Sequence, residues 1–477
     1  MTFPSSSYPS ICRKFFWCLV LATLVVASVI IVPKIATPRP AVDSKVLGLR
    51  VMLCALGLAV FTARRHLFSR SWGFADSIYA GLLASFTLSL IFSGRVSYCM
   101  GFSWHHAALI ATSWAIYRFQ PTASNLRALL WLIGILAGLA SLYGFLTYIG
   151  HDILRSFFPF DFEENQGGRN FIHSFFGNPE YFAGYVAPGA LVMVGLAAQV
   201  RSRLAVRILW LALAGFVLLV LALSGSRSAF AGFVISTFIV LASQFFRLER
   251  GTKRFISWGA IAAAVMGIAG GIILSTPNAL NRRDMRLFSR FAEAFNTQSA
   301  SFRERINFYL STADAIPRDP IFGSGPGTFR LEFLNNMTTM LEHQDAGISK
   351  VLLIEMRNRL AEHTHNDNLE VWFDQGTLGF GMFLLLIVYM VVRFISTRMR
   401  ITRTHFPSEA LLDYHSILFG ACTAMFINAL TSFPFQMPAR ATLAWILIGS
   451  FFAVDKRVAE AAQPRSGMET SNRDNPE

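Results

Sequence analysis

Apolar runs of roughly 18 residues or more recur along the whole chain, and each can cross a bilayer core of about 30 Å. A segment in lipid must satisfy its own backbone hydrogen bonds, so every such run is predicted to be a helix. The runs lie near 15–32, 46–63, 74–93, 103–117, 126–149, onward from Tyr181, 205–223, 229–246, 255–274, 377–394, 411–431 and 437–454. An all-α integral membrane protein of about twelve transmembrane helices is expected on that spacing. The run at 15–32 exceeds a signal-peptide core and no small-x-small site follows it, so a retained helix is expected. The fourth run is the weakest, because His105 and His106 stand near its start. Such a pair serves as a proton relay or, more simply, sits satisfied at an interface.

Composition fits this class: 53% of residues are hydrophobic, 15% are charged and 45 are Phe. The net charge of +14 raises nucleic acid as a partner, but its distribution argues against one. Lys and Arg sit in short clusters between apolar runs, with no basic face interleaved with aromatics. Arg13/Lys14, Arg64/Arg65/Arg70, Arg201/Arg203/Arg207 and Arg393/Arg398/Arg400/Arg403 fall in alternate connections. The positive-inside rule then puts both termini in the cytoplasm and residues 275–376 outside. The five Cys are scattered and form neither a disulfide framework nor a metal pattern. The expected layout is a cytoplasmic N-terminus (1–14), spans one to nine (15–274), a large, mostly helical outer loop (275–376), spans ten to twelve (377–454) and a cytoplasmic disordered tail (455–477).

The outer loop holds the chemistry-bearing residues. Arg303 and Arg305 flank Glu304; the turn-rich Asp319-Pro320 and Gly323-x-Gly325-x-Gly327-Thr328-Phe329 follow; the loop closes on His363-Thr364-His365-Asn366-Asp367-Asn368-Leu369-Glu370 and Gly376-x-x-Gly379. His365 has an ordinary pKa near 6.5 and is a free base at neutral pH, which suits deprotonation of a hydroxyl. Leu369 and Trp372 follow at i+4 and i+7, so a short helix is expected to bury that side and leave its N-terminal end in the site. Two other readings are weaker. His363-x-His365 lacks the i,i+4 spacing of helical zinc pairs. The glycines at 323, 325 and 327 lack a P-loop's Lys-Ser/Thr ending, which leaves a tight turn. Elsewhere, Asn178-Pro179 signals a turn opening a helix. Arg227 closes a membrane run among Gly225, Ser226 and Ser228, small neighbours that leave room for a phosphate on its guanidinium. Snorkelling to the interface is the simpler alternative.

Four of these stretches resemble the O-antigen ligase and polymerase superfamily. They are Gly177-Asn178-Pro179-Glu180-Tyr181-Phe182-Ala183, with Glu180 in place of the family's usual Asn; Leu223-Ser224-Gly225-Ser226-Arg227-Ser228-Ala229; Arg305 followed by Asp319-Pro320 and the glycine turn; and His365-Asn366-x-x-Leu369 with Gly376 and Gly379. Their order covers roughly residues 170 to 450. The resemblance implies a bacterial inner-membrane glycosyltransferase acting on the extracytoplasmic face, without metal or cofactor. It implies a polyprenyl-diphosphate-linked glycan as donor and a hydroxyl of a glycan, a lipid A core or a protein as acceptor, with inversion. Carried over residue by residue, the donor diphosphate falls to Arg227 and Arg305 and the base to His365, with Asn366, Arg303, His363 and Asn178 in support. His363 competes with His365 for the base role.

The same motifs serve ligases, polymerases and protein oligosaccharyltransferases, so the acceptor stays open. A transporter of lipid-linked glycans is the rival from another class. It predicts charges strung through the spans and broken helices in repeated halves, and no repeat is visible. A scaffold that merely docks partners on the outer loop is the third reading.

Overall fold

The computed structural model describes residues 8–30, 40–153, 172–199, 203–245, 300–343, 361–401 and 409–461. Every regular element among them is helical. In chain order these are α1 (Tyr8–Val29), α2 (Pro40–Thr62), the short α3 (Arg64–Phe68), α4 (Phe74–Phe92), α5 (Val96–Phe119), α6 (Ala123–Tyr148), α7 (Pro179–Ala197), α8 (Leu204–Ser224), α9 (Arg227–Phe245), α10 (Ala300–Ala315), α11 (Phe329–His343), α12 (Asp367–Ile401), α13 (Glu409–Ala429) and α14 (Pro438–Ala461).

Three helices form the centre. α7, α13 and α14 are buried along most of their length, and α14 lies against α1, α2, α5, α7, α12 and α13. Small residues permit these close crossings, since lipid supplies no hydrophobic drive between helices. At Gly449 of α14 a Cβ would stand 2.4 Å from the Ser113 carbonyl oxygen of α5, so only hydrogen fits. The opposite faces of α2, α4, α6, α8 and α12 expose large apolar side chains, among them Leu58, Phe92, Leu139, Ile208 and Val392. A continuous exposed apolar belt of this kind belongs against lipid.

Among the described residues, 8 helices are long and apolar enough to cross a membrane, counting α12 from Asp367 to Ile401. That is fewer than the twelve expected from the runs. α5 and α14 fall short because Ser103, His105, His106 and Arg118, and Arg440, Asp455, Lys456 and Arg457, dilute their apolarity. α9 offers only the shorter apolar helix Arg227–Ser243. The 255–274 run, the basic cluster from Arg282 to Arg290 and the tail beyond 461 lie outside the described residues.

The described part of the 275–376 stretch is helical and has its own small core. α10 and α11 pack Phe308, Ala315, Phe329, Phe333 and Met337 against Phe373 of α12. A turn between them clasps α12 at its kink. Gly376 takes a left-handed conformation (φ 65°) inside that helix, and Gly323, Gly325 and Gly327 all have positive φ. Backbone donors cross the junction both ways: Ser324 N to Phe373 O (2.9 Å), Gly325 N to Asp374 O (2.9 Å) and Thr377 N to Pro320 O (2.8 Å). The glycine-rich motif is therefore a backbone clasp. A Cβ on Gly376 would sit 2.3 Å from the Ile321 carbonyl oxygen. Gly376→Ala is expected to destabilise the fold by about 3 kcal/mol or more, from left-handed strain plus broken junction bonds. Thermal unfolding in detergent checks this, and an unchanged midpoint would refute the clasp.

Candidate functional site

The start of α12 is built around a residue in an uncommon conformation. His365 has φ +57°, a left-handed geometry rare outside glycine and concentrated at strained functional sites. Its neighbours hold it there. The Asn366 side chain caps α12, its Oδ1 accepting from the Asn368 N (3.0 Å) and the Leu369 N (3.4 Å). Such a cap contributes about 1 kcal/mol. Buried Thr364 accepts from the Asn366 N at 3.1 Å. One turn into the helix, buried Glu370 accepts from the Thr364 N (3.0 Å) and contacts His363 Nδ1 (2.7 Å). Asp367 accepts from the Phe435 N at 2.9 Å and Asp374 from the Gly327 N at 2.8 Å.

The buried side of α12 is thus Asp367, Glu370, Val371, Phe373 and Asp374. This corrects the expectation that Leu369 and Trp372 bury it. Trp372 instead stacks on Phe380, with ring centroids 4.9 Å apart. Apolar spacing marked the helix but not its inward face, because this face is fastened by carboxylates.

A second element closes over the imidazole. α10 presents Arg305, Phe308 and Tyr309 at i, i+3 and i+4, one helical face. Phe308 stacks on the His365 ring (5.6 Å, 15°), and the Tyr309 hydroxyl donates to the His365 carbonyl at 3.1 Å. Arg305 pairs with Glu180 on the first turn of α7 at 3.3 Å. Arg303, two residues earlier, is exposed and points away from that face. Burial pushes His365 down to about 4, with Glu180 opposing the shift and Arg305 and His363 adding to it. Its Nδ1 is buried with no hydrogen-bond partner.

Phe433, on the turn joining α13 to α14, gathers the remaining pieces. His363 stacks on it at 4.4 Å and His365 meets it edge-on at 4.8 Å. Arg440 of α14, fully buried, donates to Ser432 Oγ (3.2 Å) and the Phe433 carbonyl (3.4 Å). Its guanidinium also lies over the Tyr181 ring at 4.9 Å. Asn178 caps α7, accepting from the Glu180 N at 2.7 Å, and Pro179 stands at the first helical position. Gly184 leaves the space that Asn428 and Arg440 fill. Ser228 donates to that same Asn428 at 3.0 Å, which brings the start of α9, with exposed Arg227, to this end of the bundle.

Residues 211–384 match the family model described as O-Antigen ligase. That match supports the O-antigen ligase superfamily. No curated protein matches the chain. At family level the match supports a membrane glycosyltransferase-like ligase or polymerase, in keeping with the helices apolar enough to cross a membrane.

Within this ligase-family domain, Arg305, His363, His365 and Asn366 converge around α10 and Phe433. Arg227 reaches the same end through Ser228, and Asn178 through Glu180. Sequence reasoning passed over Phe308, Tyr309, Phe433 and Arg440. The first two were legible as i+3 and i+4 from Arg305. Arg440 was legible as a cation inside an apolar run. Phe433 carried no signal among so many phenylalanines. Among the described residues no group of three or more His, Cys, Asp or Glu could hold a metal ion. His363 and His365 are both committed to Phe433.

Because the folded protein disfavours a charged imidazole, His365 is expected to stay neutral from pH 8 to about pH 5 and to protonate near 4. Histidine-selective NMR of full-length protein, with His365→Asn for assignment, reads the midpoint. A value near 6.5 would contradict the burial described.

Proposed function

We propose that this chain transfers a glycan from a polyprenyl diphosphate to an acceptor hydroxyl with inversion. The reaction belongs on the extracytoplasmic face of a bacterial inner membrane. The observation that carries the proposal is a base and a cation on one support: α10 stacks on the His365 ring while holding Arg305.

In this reading the donor diphosphate takes the place of the Glu180 carboxylate on Arg305, and Arg227 meets it from the start of α9. Arg305 is already paired with an anion across 3.3 Å, so its fork is oriented before the donor arrives. Neutral His365 takes the proton of the acceptor hydroxyl. That oxygen attacks the anomeric carbon from the face opposite the phosphate. The bond from that carbon to the diphosphate oxygen breaks, and its electron pair leaves with the lipid diphosphate. The cations stabilise charge that grows during this step, so they favour the transition state over the bound donor. Asn366 and Glu370 act on the turn that carries the imidazole, and Asn178 on the helix start that carries Glu180.

The family match supports the reaction class. The acceptor that fits the ligase and polymerase kind is a sugar hydroxyl.

His365→Ala is expected to lower transfer at least 100-fold, the loss of a general base being worth roughly 10²–10⁴. Arg305→Ala is expected to lower it comparably while barely moving the melting temperature, since a half-exposed pair contributes about 0–1 kcal/mol. Purified protein with lipid-linked glycan extracted from the source cells measures both. Transfer that survives either substitution would sink the assignment of that residue.

A further inference from the structure

Beside His363 lies a cavity of about 240 Å³, room for about eight waters at roughly 30 Å³ each, or for one sugar ring. α2 lines it with Asp43 and Arg50, α5 with Gly101, the turn before α12 with Glu362 and His363, and α12 with Glu370. Arg227, Arg305 and His365 are not among its lining residues. It is nevertheless one aromatic ring away from the proposed base, because His363 and His365 pack on the same Phe433 at 4.4 and 4.8 Å.

The wall chemistry selects the kind of occupant. The Asp43 and Glu362 carboxylates face a space that also holds the guanidinium groups of Arg50 and Arg330 and imidazole groups, while Glu370 is taken up by Thr364 and His363. A diphosphate would meet those carboxylates with like charge, and burying that contact is costly. An uncharged polyol meets acceptors for its hydroxyl hydrogens and donors for its oxygens. Val42, Val46 and Met437 supply the apolar part of the wall, against which a sugar's C–H face can rest.

Resting on the glycan-transfer reading, we propose that this cavity is the acceptor subsite, taking one neutral sugar unit of the acceptor glycan beside His363 and Phe433. The donor and acceptor would then enter on different sides of Phe433, with Arg305 serving one and the Asp43–Glu362 wall the other.

The test uses full-length protein in lipid nanodiscs with glucose, galactose, mannose and N-acetylglucosamine as probes, read by saturation-transfer NMR. At least one sugar is expected to give a signal. Gly101→Phe plugs the cavity; a Cβ there meets nothing within 4 Å, so the fold has room for it. That variant, and Asp43→Asn, are expected to lose the sugar signal while still binding undecaprenyl diphosphate. Arg305→Ala is expected to do the reverse. In transfer assays Gly101→Phe is expected to raise KM for the acceptor about tenfold and leave that for the donor unchanged. No signal from any of the four sugars, a signal that survives Gly101→Phe, or a change in donor KM instead would overturn the subsite. Failure of the native protein to bind undecaprenyl diphosphate would sink the transfer reading, while the sugar signal would still decide the cavity.

Discussion

Three carboxylates on the buried face of α12 hold together everything around them. Asp367, Glu370 and Asp374 lie at i, i+3 and i+7, one stripe of a helix. Each accepts a backbone N–H from a different segment: Phe435 after α13, Thr364 before α12 and Gly327 before α11. An isolated buried carboxylate costs several kcal/mol, so such groups persist only where donors meet them. A hydrogen bond to each carboxyl returns about 0.5–1.5 kcal/mol. The result is one rigid rod with three loops fastened along it. The Phe433 turn, the His365 turn and the glycine clasp hold fixed positions relative to one another because they share that rod. Preorganisation of this kind lets polar groups act on a transition state without first rearranging.

The arginines divide into two kinds by the same logic. Arg440 is fully buried and meets a hydroxyl, a carbonyl and two aromatic faces. Its partners are dipoles and π-systems, which hold the α13–α14 turn under Phe433. Arg305 is part-exposed and meets a carboxylate that is itself part-exposed. Exchanging Glu180 for another anion there costs little, because water screens both partners. A cation meant to receive a charged ligand needs such a replaceable partner, whereas a structural cation needs partners that never leave. The Glu180 that departs from the family's usual Asn supplies this stand-in charge beside Arg305.

Much of this was legible in the residues. Apolar runs marked the helices, and Asn178-Pro179 marked a helix start. The glycine-rich turn reads as a clasp once it is denied a Lys-Ser/Thr ending. What the pattern hid is polar burial. Periodicity assumes that the inward face of a helix is apolar, so it pointed to Leu369 and Trp372 while the real inward face carried acids paid for by distant N–H groups. Two of those partners lie far along the chain: Asp367 meets Phe435 across 68 residues and Asp374 meets Gly327 across 47. α5 and α14 read as less apolar than the other spans for a related reason: they carry buried polar groups such as Arg118 and Arg440 that neighbouring segments meet.

Burial of His365 poses a problem that the arrangement itself answers. An imidazole held near 4 is a weak base; burial sets that value, while the Glu180 carboxylate pulls it up and the Arg305 charge pulls it down. On the proposed reading, an arriving diphosphate brings more negative charge than the Glu180 carboxylate it replaces. Opposite charge nearby favours protonation of the ring, so the base strengthens when the donor is seated. On that reading acceptor activation is tied to donor binding through the field at the ring, once the Glu180 carboxylate gives way on Arg305.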